Sequence, residues 1–360
     1  MGAMAAIPLP EGNERTESRG AGFDAVHSQA LTGFPELIRN LENNPDELLA
    51  EYGIASAEAG GRGPVLEYRA FVQLLAHCAD RLGVPDFGIR LAQRQRGGKV
   101  IGPVGVVMKN SQTVGQALGY CARHIHAYSL ATRVRFRPDR SQHILFVGLE
   151  ILLDRPADTR QVVEHAVMLA HLNVTDISGG IARARRVHFR HEPQAPLKLY
   201  RDAFGCEVRF GQEMDGFVLT EDDLLCRIGD SDEQVYEMAT SFIDTHYPAA
   251  MPPLHARVRS LVVGHLGSTR CTSEHIASEL CLHPRTLQRR LRAEGMSFEG
   301  IKDEVRREVA LRYLSQSDLP LMQVAEKLGY SEASVLSRSC YRWFTVSPIQ
   351  LRRAARAEAA

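Results

Sequence analysis

In the last third of the chain, apolar residues recur at three- and four-residue steps in two similar stretches. Ile276, Ala277, Leu280 and Leu287 form the first set, with Leu291 four further on. Val324, Ala325, Leu328 and Val335 form the second, each 48 residues past its counterpart. Such spacing predicts short helices with one buried face. Leu282 and Pro284 mark a turn and the first turn of a following helix, where proline is tolerated. Gly329, Tyr330 and Ser331 mark the equivalent turn, and Ser273 and Ser331 are the expected caps. Ser347 and Leu351 lie 50 residues past Ser297 and Ile301, so the second copy gains two residues late in its second helix. A polar helix from Phe298 to Ser315 joins the copies. Helix, tight turn and helix, twice over, are two helix-turn-helix patterns.

The polar positions then matter as much as the apolar ones. With Leu287 and Leu291 turned inward, Arg285, Thr286, Gln288, Arg289 and Arg292 point outward. A helix-turn-helix lays its second helix in the DNA major groove. Arginine matches the acceptors of guanine and glutamine those of adenine, each pairing worth about 1–3 kcal/mol of discrimination. In the second copy the outward positions are Glu332, Ser334, Ser337, Arg338, Tyr341 and Arg342. This less basic helix is expected to supply phosphate and shape contacts, with Trp343 and Phe344 in the core. The joining helix carries Lys302, Arg306, Arg307 and Arg312 against Asp303, Glu304 and Glu308. Its roughly 18 residues span about 27 Å, against about 34 Å between successive grooves. Two reading helices would then meet one face of a slightly bent duplex.

Upstream the periodicity changes. Residues 23–95 read as helices, with Leu31, Phe34, Leu37, Ile38 and Leu41 on one face and Phe71, Leu74, Leu75, Cys78 and Leu82 on another. Gly97 to Pro103 reads as a flexible link, and a helix follows from Ser111 to Tyr128. Arg133–Arg137 and His143–Val147 alternate about a turn at Pro138–Ser141, a hairpin signal. Asp158–Ile177 is helical. Arg186–Arg190, Cys206–Phe210 and Gly216–Thr220 are further strands, and Asp230–Tyr247 is a helix ending at Pro248. Mixed in this way, the elements predict an α+β domain with an antiparallel sheet, basic residues on its wet face. The all-α part follows. The expected divisions are a disordered or tag segment at 1–20, with Met1–Met4 resembling a tag remnant, a sensing domain at 21–248, a Pro-rich linker at 249–253 and a DNA-binding domain at 254–355.

Composition sharpens this division. Length suits two or three domains, and no run of 18 apolar residues predicts a membrane span. The N-terminus lacks a secretory pattern, so a cytoplasmic protein is expected. Equal numbers of acidic and basic residues hide an asymmetry. From Leu254 to Ala360, 17 Lys and Arg face 11 Asp and Glu, leaving 26 against 32 in the rest. A basic C-terminal part on an acidic remainder fits a phosphate-binding module beside one that does not bind DNA. Seven widely spaced cysteines, with no Cys-x-x-Cys, argue against a disulfide framework or zinc site. The pairs His124/His126 and His188/His191 lack acidic partners at ligand spacing, so no metal or other cofactor is expected. No catalytic motif is present. The Arg-bearing strands are either a solvated face or an anion-binding surface.

The block from His283 through Arg342-Trp343-Phe344 to Leu351-Arg352-Arg353 resembles the AraC/XylS family of transcription regulators. The N-terminal part is similar to the branch with an arabinose-binding-like domain. Pro85–Ala92, Gly102–Gly105 and Phe204–Gly211 carry that likeness. The resemblance implies a bacterial transcription activator that binds double-stranded DNA, responds to a small-molecule effector and engages RNA polymerase; the helix Asp230–Tyr247 is a candidate surface for a homodimer, with the oligomeric state left open. Thr345 departs from the family, which mostly has Gly there, and a β-branched residue in a left-handed position is strained. Ser339-Cys340 departs too, where the family favours Ala-Phe. Two alternatives stand beside this reading: a metabolite-processing enzyme fused to a DNA-binding module, and an effector-free architectural DNA binder.

Overall fold

The computed structural model describes residues 23–55, 65–95, 98–153, 158–248 and 251–358. The expected disorder at 1–20 and the first two linker residues fall outside them. Strand β1 (Ala25–His27) pairs antiparallel with β2 (Val65–Glu67), so the helix expected from Phe23 begins only after this short ribbon. Helices α1 (Phe34–Asn40), α2 (Pro45–Ala50), α3 (Tyr68–Arg81), α4 (Phe87–Gln95), α5 (Pro103–Lys109) and α6 (Val114–His124) follow. The link expected to be flexible is a 3-10 turn at Gly98–Ile101 packed on α5. A Cβ on Gly105 would sit 1.7 Å from the Gly98 carbonyl oxygen, so only glycine permits this approach.

Next come β3 (Thr132–Asp139), β4 (Ile144–Ile151), α7 (Arg160–Ile177), β5 (Arg186–His188), α8 (Leu197–Phe204), β6 (Glu207–Arg209), β7 (Gly216–Thr220), α9 (Glu221–Leu225) and α10 (Glu233–His246). The five-stranded sheet has the order β3-β4-β7-β5-β6. Pro138 and Asp139 lie inside β3 rather than in the turn. An edge strand spares one row of backbone donors, so proline costs little there. Asp139 instead shapes the turn beyond it, accepting from the Ser141 and Gln142 amides. The sheet is antiparallel except between β5 and β6, which run parallel. Helix α8 connects that pair, the crossover that parallel neighbours need.

The C-terminal part is helical: α11 (Leu254–His265), α12 (Ser273–Glu279), α13 (Pro284–Ala293), α14 (Phe298–Gln316), α15 (Leu321–Lys327), α16 (Ala333–Phe344) and α17 (Pro348–Glu358). Two hydrophobic cores result. One holds Phe34, Phe71, Phe87, Phe189, Tyr200 and Phe217, and the other Leu287, Leu291, Val305, Leu314, Leu336 and Cys340. No described helix is long and apolar enough to cross a membrane, and the cysteines are free.

Candidate nucleic-acid interface and sensor cavity

Helix α13 buries Leu287 and Leu291 and exposes Arg285, Gln288, Arg289 and Arg292, with Thr286 half-buried. Pro284 opens the helix, and His283 caps it by accepting from the Arg285 amide. The cap of α12 is Thr272, one residue before the expected Ser273. Extended backbone at Thr272 lets its hydroxyl reach the His275 amide, while Ser273 is already helical.

Helix α16 differs from expectation in register. Leu336 and Cys340 are buried, each 49 residues past Leu287 and Leu291, while Val335 is only half-buried. One of the two extra residues therefore sits in the turn rather than late in the helix. The N-cap is Glu332, not Ser331, and it makes no side-chain cap bond. Ser334, Arg338, Tyr341 and Arg342 are exposed and Ser337 is half-buried. Ser334 donates to the Glu332 carboxylate (2.8 Å) and Ser337 to the Ala333 carbonyl (3.1 Å). Arg342 pairs with Asp303 of α14. Trp343 and Phe344 pack on the core, as expected. Thr345 ends α16 in the left-handed region, at φ 60°.

The basic residues of α14 are struts. Lys302 donates to the Cys271 carbonyl at 2.7 Å, ahead of the first motif. Arg306 donates to the Leu328 carbonyl at 2.9 Å and lies over the Tyr330 ring, bracing the turn of the second. Arg312 is withdrawn from solvent beside Arg190 of the sensor part, and burial with that like charge lowers its pKa to about 10. The helix spans 19 residues, so about 28 Å separate its ends.

Of the strand arginines, Arg133 and Arg135 are engaged, whereas Arg137 and Arg209 stay exposed to solvent. Ser260 of α11 accepts from Arg133 (3.1 Å) and Arg135 (2.9 Å) and donates to Glu150 (2.7 Å). Arg135 also pairs with Glu150 at 3.2 Å. The sheet edge thus grips the helix that leads into the DNA-binding part. The histidine pairs also have other work. His126 contacts the Tyr247 carbonyl, His124 stacks on Tyr120, and His191 lies 3.5 Å from the buried Glu164.

On the opposite side of the hairpin lies a cavity of about 70 Å³. Phe71, Met108, Leu118, Val134, Leu149 and Leu169 are among its walls. Burial keeps its titratable lining uncharged near pH 7: Tyr68 and Cys121 are pushed up to about 12, and Tyr128 is also raised. Burial drives His165 down to about 4, and its Nε2 lies 2.7 Å from the Gln95 amide oxygen. Asn173 Oδ1, also in this wall, is buried without a hydrogen-bond partner. Sequence periodicity marked several of these residues as core but carried no signal for a void among them.

Comparison with known proteins agrees with this layout. Residues 44–228 match the arabinose-binding domain of AraC transcription regulators, N-terminal, and residues 276–354 match a helix-turn-helix domain. The chain is 34% identical over 327 residues to the HTH-type transcriptional regulator VirS of Mycobacterium tuberculosis (strain H37Rv), covering 91% of this chain and 96% of the relative. It is 24% identical to the ornithine utilization regulator of Pseudomonas aeruginosa, over 86% of this chain and 94% of that one. A solved structure, the transcriptional regulator CdpR of Pseudomonas aeruginosa, aligns with a TM-score of 0.41 at 20% identity, over 88% of this chain and 97% of that one. The chain belongs to the AraC/XylS family and is a DNA-binding transcriptional regulator.

Proposed function

We propose that this regulator is an activator switched by a small, uncharged, apolar effector held in the N-terminal part. The apolar cavity behind the hairpin carries this reading. Its walls are apolar, its titratable groups are neutral, and its free polar atom, Asn173 Oδ1, is an acceptor suited to one donor on the ligand. Cavities of this kind stay dry and take apolar guests. At about 70 Å³ the void admits only a few heavy atoms, so the effector must widen it.

The hairpin supplies a route outward. Side chains alternate along a strand, so Thr132 and Val134 line the cavity while Arg133 and Arg135 grip Ser260. Val134 pairs with Leu149 and Arg133 with Glu150. A guest that displaces Val134 and Leu149 displaces the Ser260 clamp. In this reading residues 21–248 sense and 254–355 bind DNA through Arg285, Thr286, Gln288, Arg289, Arg292, Ser334, Ser337, Arg338 and Tyr341, with Arg342 released from Asp303 on contact with phosphate. Activation requires RNA polymerase as a partner. A homodimer would pair through α10, where Val235, Met238 and Phe242 are exposed at three- and four-residue steps.

Glu164, His191 and Tyr200 are the nearest thing to a catalytic cluster, but Glu164 and Tyr200 are fully buried and bond each other. We read them as internal structure. The test is thermal unfolding of the full chain against panels of neutral apolar and of anionic metabolites. Neutral ligands should raise the midpoint and alter binding to a selected duplex, and Ala170→Phe should abolish both responses. A response confined to anions sinks the proposal, and no response to either panel favours the architectural binder.

A further inference from the structure

The turn between α11 and α12 brings together two imidazoles and a carboxylate. His265 Nε2 lies 2.6 Å from Glu279 Oε1, and His275 Nε2 lies 3.0 Å from the same oxygen. The candidate ligand atoms of all three residues fall within 4.8 Å of one another, the one such cluster among the described residues. His275 Nε2 is buried and makes no aligned hydrogen bond, even to that oxygen. Its in-plane bonding direction is therefore unused. We propose that His265, His275 and Glu279 bind a divalent late transition metal ion of the zinc class.

The donor set fits that ion. Zinc takes imidazole nitrogen and carboxylate oxygen at about 2.0–2.2 Å, and three protein ligands leave one position for water. In a tetrahedron of that size ligand atoms stand about 3.3 Å apart. To admit the ion the carboxylate oxygen withdraws by less than about 1 Å and the two imidazoles, whose ligand atoms lie within 4.8 Å of one another, turn inward. Imidazole donors disfavour magnesium and calcium, which prefer all-oxygen sites. His275 and Glu279 stand one helical turn apart on α12, so their spacing is fixed. His265 ends α11, and its carbonyl accepts from Ser268 at 2.8 Å. Gly267 holds the loop in place: its φ is 84°, and a Cβ there would lie 2.9 Å from the Lys327 carbonyl oxygen.

Such an ion would staple α11 to the first helix of the first motif. Helix α11 also carries Ser260, the clamp to the sensor sheet. Metal loading would stiffen the joint through which the sensing part acts on the first recognition helix. The metal would therefore be a second input, separate from the proposed effector.

The test uses the full chain, free of any polyhistidine tag and stripped with a chelator. Zinc is titrated against a chromophoric competitor, and Co²⁺ is used as a spectroscopic stand-in. We expect one ion per chain, visible cobalt bands without a thiolate charge-transfer band, and no response to Mg²⁺ or Ca²⁺. His265→Asn and Glu279→Gln are near-isosteric and should each weaken zinc binding by at least about tenfold, with unchanged circular dichroism. His275→Ala should do the same. Absence of binding at micromolar zinc overturns the proposal. So does affinity unchanged in all three variants, or a thiolate band that places Cys271 or Cys281 at the ion.

Discussion

Arg342 of the second recognition helix rests against Asp303 of the joining helix, Nη2 to Oδ1 at 2.5 Å, while the adjacent Trp343 donates to the other oxygen of the same carboxylate at 2.9 Å. One residue of α14 thus fixes the rotation of α16 about its axis. The ion pair is exposed and worth little alone. The indole bond is half-buried, worth about 1 kcal/mol. Asp303→Ala should therefore lower the unfolding midpoint of the C-terminal part by a few degrees, and Asp303→Asn, which keeps an acceptor for the indole, by less. Calorimetry on the two variants checks this, and equal losses would assign the effect to the Arg342 charge pair instead.

The two recognition helices should divide the labour unequally. Arg289 and Arg292 are exposed on α13 and pair with no acidic side chain among the described residues, whereas Arg342 on α16 is already engaged. Arg289→Ala and Arg292→Ala should each cost about 1–3 kcal/mol on the preferred duplex and relax base choice at one position. Arg338→Ala should weaken all duplexes alike and flatten the salt dependence by about one unit of slope. Competition binding across single-base variants distinguishes these outcomes, and loss of affinity without loss of base preference for α13 would reverse the assignment.

The C-terminal part was legible because its signals are local. Apolar spacing over seven or eight residues located α12, α13 and α15, and proline located the start of α13. The errors came where one residue decides: Thr272 rather than Ser273 caps α12, and Leu336 rather than Val335 enters the core, because a turn can absorb a residue without changing composition. The sheet was found strand by strand, but its one parallel pairing was not, since alternation records burial and not direction. What lay beyond reading was every relation between distant segments. Ser260 meets the Arg133 and Glu150 pair across more than a hundred residues of sequence, and the walls of the cavity run from Tyr68 to Asn173. The meeting of His265 with His275 depends on a loop whose path is set by Lys327.

The Ser260 clamp should govern how tightly the two parts hold each other. Ser260 is buried, and its hydroxyl serves Arg133, Arg135 and Glu150 together. Ser260→Ala leaves those groups without that partner at a contact withdrawn from water, a cost of about 1–3 kcal/mol. Limited proteolysis should then cut faster near residues 249–253, with the separate cores still folded. Cutting at the wild-type rate would show that the clamp contributes nothing to docking.

Glu164 should make stability fall with rising pH. Burial raises its carboxyl to about 8 from the usual 4.5, against the opposing bond from Tyr200. Between those two values the folded chain keeps a proton that the unfolded chain has lost, so stability drains away across pH 4.5 to 8 and is fully lost above it. The neighbouring His191 is lowered by burial, which acts at the acid end. Glu164→Gln keeps a neutral acceptor for Tyr200 and removes the ionisation. The variant should match wild type near pH 5 and unfold at a higher temperature at pH 8, and parallel curves at the two pH values would place the proton elsewhere.

Thr345 should be a strained stop. Its φ of 60° places a β-branched residue in the left-handed region, where its amide donates to the Tyr341 carbonyl at 3.0 Å to close α16. That conformation costs an L-residue roughly 1–2 kcal/mol and glycine almost nothing. The threonine hydroxyl bonds only the Phe344 carbonyl beside it. Thr345→Gly should raise the unfolding midpoint by several degrees, less the part that glycine's greater freedom in the unfolded chain takes back. DNA affinity should hold, because the left-handed residue lies past Tyr341 and Arg338. A lower midpoint would mean that α16 ends differently in solution, with Thr345 outside the left-handed region and the helix continuing toward Val346.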